Sequence, residues 1–494
     1  MKKNRFKDVD VKNVEALRNA VYELKNVSKR KLNDAICDII DLGGYSIAVM
    51  VDTMPELEAG LQLEIAKKLE DFFYFHPENG RKLFGRIKKT LPLVDESVRK
   101  HFIASLSDIS AEMEDGEKEL GMLGDEALAI LQSEADLMRM SKAIEIAVKG
   151  SRKDSMPHII NLMKKSIKNL DEYQGYQFIE TALLAMKSLG GESILRLMIN
   201  PASANALKQL RMEWREADES LTNNVLNALE AVDEDFAQVM LKVIELSEFS
   251  LPFAAMINEG LSHPDKWVRQ AAAGTMQKAS EGLEPEALSR LLNDEAPEVR
   301  LMAVTSLGGF TAAQTGGLLE SIAMKSDETM DIRLNALYAL YSQRNLAALI
   351  SIVKASDNLK IKTNANSMAA MLMPHSEGIE HILELYGKAS EELLPDVMPY
   401  LTELVEPEDI HTLIEVHGKS TGQVRERMLN LIHIVLEQKA GHRLDSAIDK
   451  LPMAEQEAIK MLKPAPKKHD KETETHHHEE ECGCGHHHHH HHRY

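Results

Sequence analysis

The sequence predicts an all-α protein, an α-solenoid of stacked helical pairs, and three observations lead there. One short unit recurs along the chain. DKWVRQAA at 265–272 returns as DEAPEVRLMA at 294–303, as DETMDIRLNA at 327–336, as DNLKIKTNA at 357–365 and, without its Asp, as GQVRERML at 422–429. The apolar residues around these units follow a helical period. Aromatics make up only 5% of the chain while Met numbers 25, a mix suited to helix-on-helix packing rather than to sandwiched sheets.

The repeated element is an aliphatic–basic pair at Val268–Arg269, Val299–Arg300, Ile332–Arg333, Ile361–Lys362 and Val424–Arg425. Its steps are 31, 33, 29 and 63 residues, the last close to two periods with one degenerate copy between. Five copies in one frame exceed coincidence. Each period reads as two helices, with Gly282 past the end of one, Pro285 just inside the next and Asp294 before a third. In VRLMAVTSL, Val299, Met302, Ala303 and Leu307 fall on one stripe, the mark of a buried helical face. Pro374 and Pro407 separate later helices in the same way.

Asp, then an aliphatic–Arg pair, then Ala, at about a 31-residue period, resembles the short HEAT-like repeats found in phycobilin lyase subunits. The likeness covers about residues 265–430. It implies that the second helix of each pair carries the motif and that its Asp and Arg side chains knit neighbouring repeats. Asp265, Arg269, Asp294, Arg300, Asp327 and Arg333 are then structural, because one repeat cannot bury its apolar face alone and stacking must supply the core.

Residues 261–462 accordingly form the clear repeats. In 116–260 the motif fades but the helical period persists, as in DEALAILQSEADLMRMSKAIEIAV and YQFIETALLAMKSL, and these read as divergent repeats. Residues 1–115 are helical too, with VEALRNAVYELKN and PELEAGLQLEIAKKLEDFFYF as the best segments, and suit an N-terminal capping region or a separate small domain. Beyond Leu462 the composition changes abruptly. Residues 463–494 have no apolar periodicity and dense charge, and are expected to be a disordered tail in the absence of a ligand.

The formal net charge of −20 argues against a general nucleic-acid binder, whose affinity for phosphate comes from Lys and Arg. The first hundred residues carry an excess of about +3 and the remainder about −23, so the body should attract basic partners or cations. Three Cys do not make a disulfide framework. With no secretory h-region and no long apolar run, a soluble, cytoplasmic protein with no membrane contact is expected.

The tail is where residue types imply chemistry directly. His476, His477 and His478 precede Glu479–Glu481, then come Cys482 and Cys484 between glycines, then His486, His487, His488, His489, His490, His491 and His492. Imidazole and thiolate together suit nickel or zinc, and the glycines let both sulfurs reach one ion. So many ligands on one ribbon predict overlapping sites of broad selectivity rather than a catalytic centre. A purification tag is the alternative reading of the last run, although tags commonly carry six His and here seven are followed by Arg493 and Tyr494. In composition the tail resembles the His- and Cys-rich tails of nickel-handling proteins, including the slow-type prolyl isomerase chaperone and hydrogenase or urease accessory factors.

Other candidates favour structure. Phe72, Phe73, Tyr74 and Phe75 followed by Arg81, Lys82, Arg86, Lys88 and Lys89 fit a nucleic-acid patch, but the simpler reading packs the aromatics inward and solvates the cations. Met368, Met371 and Met373 beside His375 read as core filler, and Cys37 as a buried, inert thiol. His101, His158, His263, His381, His411 and His433 are scattered without ligand-like spacing. No phosphate loop, nucleophile elbow or HExxH occurs. The expectation is a non-enzymatic scaffold that binds protein partners, needs no cofactor, and holds divalent metal on its tail for storage or delivery. The alternatives are a lyase-like HEAT enzyme or enzyme subunit acting on a cofactor-bearing protein, implied by the repeat likeness alone, and a plain scaffold with an incidental or tag-derived tail.

Overall fold

The computed structural model describes residues 3–462 apart from 44, 170–171, 248–252, 280–284 and 440. Short polar residues decide where its helices begin. Asn13, Asp95, Asp136, Asp218, Asp233, Asp265, Thr329, Asn345 and Asn358 each stand at an N-cap and accept from backbone N–H groups of the first turn. Such a cap satisfies donors that the helix cannot, and is worth about 1 kcal/mol. Thr311 and Gln314 form a reciprocal capping box. Among the described residues the chain is helix and short 3-10 turns throughout, with no strand. The fold is an α-solenoid.

Two compact units divide the chain, Met1–Ser356 and Asp357–Tyr494. In the first, helices alternate between two layers. One layer runs without interruption, and we number its helices α1 Ala59–Phe75, α2 Glu96–Ser110, α3 Leu137–Lys149, α4 Glu172–Gly190, α5 Glu234–Leu246, α6 Lys266–Gly274, α7 Pro297–Leu307 and α8 Met330–Ser342. The core lies between the layers, with Ile65, Phe73, Phe102, Ile144, Phe178, Met240, Val268 and Val299 fully buried. Close approach matters at Gly116, where an added Cβ would lie 1.8 Å from Ser110 O. The sequence segment 125–148 is not one helix. It breaks after Leu131 and restarts at Asp136, which caps α3.

The second unit stacks Leu359–Leu372, His375–Lys388, Leu394–Leu404, Ile410–Lys419 and Gly422–Gln438 around Ile382, Leu401, Leu413, Leu431 and Ile432. Met368 is fully buried there, while His375 turns away from the methionines to lie 2.9 Å from Asp409.

The repeat motif does the work the sequence implies at two steps and departs from it at three. Arg269 grips Asp294 of the next repeat with two bonds, Nε–Oδ2 at 2.9 Å and Nη2–Oδ1 at 3.2 Å, and Nη1 donates to the His263 and Pro264 carbonyls. Arg300 repeats the arrangement, but its acceptor is Glu328, at 3.1 Å through both oxygens, and not Asp327, which is exposed. Arg333 is buried and donates 2.9 Å to Ala323 O, at the end of the helix Ala312–Met324. Lys362 and Arg425 are exposed, and Arg427 instead turns inward to the Tyr386 and Gly387 carbonyls. Asp265 bonds its own helix N-terminus rather than a neighbour. The constant feature is the N-cap, four residues before each basic position: Asp265, Ala296, Thr329, Asn358 and Thr421.

Candidate functional site

Most of the sequence candidates resolve into structure. In the aromatic–basic stretch, Arg81 pairs with Glu112, Arg86 with Asp52 and Lys88 with Glu119, so three of its five cations are neutralised by neighbouring repeats. The aromatics split. Phe73 is fully buried and Phe72 packs against the core, but Tyr74 and Phe75 are exposed, which corrects the expectation that the run packs inward. Cys37 is half-buried rather than buried, and burial pushes its thiol above the ordinary value. The histidines take separate partners: His158 lies 3.2 Å from Gln132, His411 2.6 Å from Glu455, and His381 meets Asn366. The tail ligands, His476 to His478, Cys482, Cys484 and His486 to His492, lie outside the described residues.

His101 is different. It sits 31 residues, one repeat, after Glu70, which places the two on adjoining helices α2 and α1. Its Nδ1 lies 2.5 Å from Glu70 Oε2, and because a carboxylate only accepts, the imidazole donates. Arg139 on α3 reaches back with Nη2 at 2.7 and 2.8 Å from the two Glu70 oxygens and also pairs with Asp136. Glu70 and His101 are both buried. Burial raises the Glu70 carboxyl, but the bonds from His101 and Arg139 outweigh it and hold the group below the ordinary carboxylate range. One buried ionic cluster thus fastens three successive helices.

Those three helices, with α4 and α5, floor a groove of about 1540 Å³. Tyr74 comes from α1, Asp108 from α2, Met138, Lys142 and Glu145 from α3, Tyr173, Gln177 and Leu184 from α4, and Val243 and Leu246 from α5. Tyr74, Met138, Tyr173, Leu184 and Leu246 are all more than 40% exposed, an unusual concentration of apolar surface facing one depression. Lys142 bonds Asp108 at 2.8 Å. Glu145 makes no hydrogen bond or ion pair among the described residues, and crowding by protein atoms raises its carboxyl despite the nearby Lys149 and Lys142. A second, smaller depression of about 540 Å³ is polar, lined by His158, Asn161, Lys164, Asn224 and Asn227. Lys164 donates to Ala228 O, and burial lowers its ammonium.

Among the described residues no group of three or more His, Cys, Asp or Glu is placed to hold a metal ion, and no helix is long and apolar enough to cross a membrane. What the groove offers is contact area: rings and aliphatic chains around carboxylates and amides.

No family model matches the sequence, and no curated protein matches it. Solved structures do resemble it. Kap121p bound to Pho4p aligns with a TM-score of 0.46 at 16% identity, over 89% of this chain and 49% of that one. The karyopherin Kap121p bound to the SUMO protease Ulp1p aligns with a TM-score of 0.42 at 16% identity, over 91% and 49%. The chain spans about half the length of these structures.

Proposed function

We propose that this chain is a non-enzymatic interaction scaffold whose α1–α5 groove is the docking face for a segment of a partner protein, and whose tail holds divalent metal. The observation that carries the first part is the set of exposed apolar side chains gathered from five successive helices into one depression. Monomeric proteins rarely leave such patches uncovered without a use for them. Rigid helices beneath the groove, fastened by Glu70, His101 and Arg139, limit the entropy lost on binding.

A photo-crosslinking residue at Tyr74 or Tyr173 of the full chain, irradiated in its host, tests the groove. A discrete adduct lost on Leu246→Glu is expected. The same adduct from a probe at exposed Lys325, or none from either groove position, contradicts the reading.

The metal part rests on sequence alone, on twelve His and Cys within 476–492. Chain purified without metal-affinity resin should carry nickel or zinc, and chain lacking 469–494 should not. Imidazole must lose its proton to bind, so occupancy should fall steeply as pH drops through about 6.5. Metal-free native protein, together with unchanged metalloenzyme activity on deletion, removes the delivery role.

A further inference from the structure

The groove's charges follow an order along the stack. Tyr74 on α1 is apolar, Asp108 on α2 and Glu145 on α3 are acidic, and Tyr173 and Leu184 on α4 and Leu246 on α5 are apolar again. Glu180 adds a further carboxylate on α4. The bonds within the groove leave this acidity incompletely answered. Lys142 satisfies Asp108 through Oδ1 only, and Oδ2 is buried with no partner. Glu145 is free of bonds, and Asp136 already shares Arg139 with Glu70. Lys149 faces the groove as well, but neither it nor Lys142 forms an ion pair with Glu145.

Resting on the reading of the groove as a docking face, we infer that its occupant is an extended protein segment with a basic side chain held by Glu145, flanked on both sides by apolar residues. Charge complementarity selects this chemistry. An acidic segment would meet the unpaired Glu145 carboxylate, in a chain of net charge −20, while a wholly apolar one would bury that carboxylate unpaired. Arg suits the place best, since its planar fork bonds both oxygens of one carboxylate at once. Spacing follows from the stack. Neighbouring helix axes lie about 8–10 Å apart, and an extended chain advances about 3.3 Å per residue. Crossing five helices therefore takes about a dozen residues, with a contact at roughly every third position.

The test uses fluorescein-labelled peptides of about that length, apolar at every third position except the central ones, which carry Arg, Gln or Glu. Binding to the full chain is read by anisotropy at low and high salt. The Arg peptide should bind about tenfold tighter than the Gln peptide, the Glu peptide weakest, and the spread should shrink with salt. Glu145→Lys should erase or invert the order, and Glu145→Gln should reduce it. Glu145 is unpaired and on the surface, so both variants should keep the parent's helical content by circular dichroism. Equal binding of all three peptides overturns the inference while leaving the groove as a docking face. An order that survives Glu145→Lys also overturns it. If no peptide binds, the docking face and its preference fall together.

Discussion

Two stretches of one layer, α6–α8 and α1–α5, use the same helical pair to different ends. In α6–α8 the repeats are regular, and their Arg side chains turn along the stack to bond the next repeat, as Arg269 does to Asp294 and Arg300 to Glu328. In α1–α5 the motif has faded, and side chains such as Tyr74, Tyr173 and Leu246 stand free over a groove. Regularity marks where side chains hold the protein together. Where the motif fades, the fastening passes to the buried cluster of Glu70, His101 and Arg139, and other side chains stand exposed over the groove.

Breaking the fastening beneath the groove should have the largest effect. Glu70→Ala leaves the buried His101 without its acceptor and the largely buried Arg139 with Asp136 alone, and removing one partner of such a buried pair costs about 3–5 kcal/mol, read by denaturant unfolding. The pH dependence has a definite sign. Because Glu70 is held below its ordinary pKa, its contribution is fully present above that ordinary value and is lost as pH falls through the depressed one. Glu70→Gln should therefore flatten the acid limb of the stability profile, and an unchanged limb would count against the cluster.

Next comes the ladder. Arg300→Ala removes charge-assisted bonds to Glu328, whose side chain is only 5% exposed, at a cost of about 1.5–3 kcal/mol. Smaller still are the exposed pairs on the N-terminal helices. Arg81→Ala, which frees Glu112 to water, should change stability by less than about 1 kcal/mol. Smallest of all is Tyr173→Ala. The residue is 74% exposed, so unfolding should move by less than about 0.5 kcal/mol while partner binding weakens. A large loss of stability there would erase the contrast between the two stretches.

The sequence made one stretch far more legible than the other, for a physical reason. Val268, Val299, Ile332 and Ile361 are buried where the motif places them because a helix pair with a fixed period must present the same residue to the same neighbour. Partner identities were less readable: nothing local distinguishes Glu328 from Asp327 as the acceptor for Arg300, since the choice turns on which carboxylate the preceding turn aims inward. The groove was hidden because its residues are spread from 74 to 247 over five helices. A signal did exist. Ile65, Leu69 and Phe73 set the buried stripe of α1, and Tyr74 falls off it; Met138 likewise misses the stripe of Met140, Ala143 and Ala147 on α3. Apolar residues off the stripe on consecutive helices are the trace that the groove leaves in the sequence.

The division of labour between the two stretches is tested most directly by measuring Tyr173→Ala/Leu246→Glu and Arg300→Ala side by side, for peptide binding by anisotropy and for unfolding by denaturant. The groove variant should lose binding while its unfolding midpoint stays near the parent's. The ladder variant should unfold earlier while its folded population still binds. A ladder variant that folds yet cannot bind, or a groove variant that unfolds with binding intact in the folded fraction, would contradict the account.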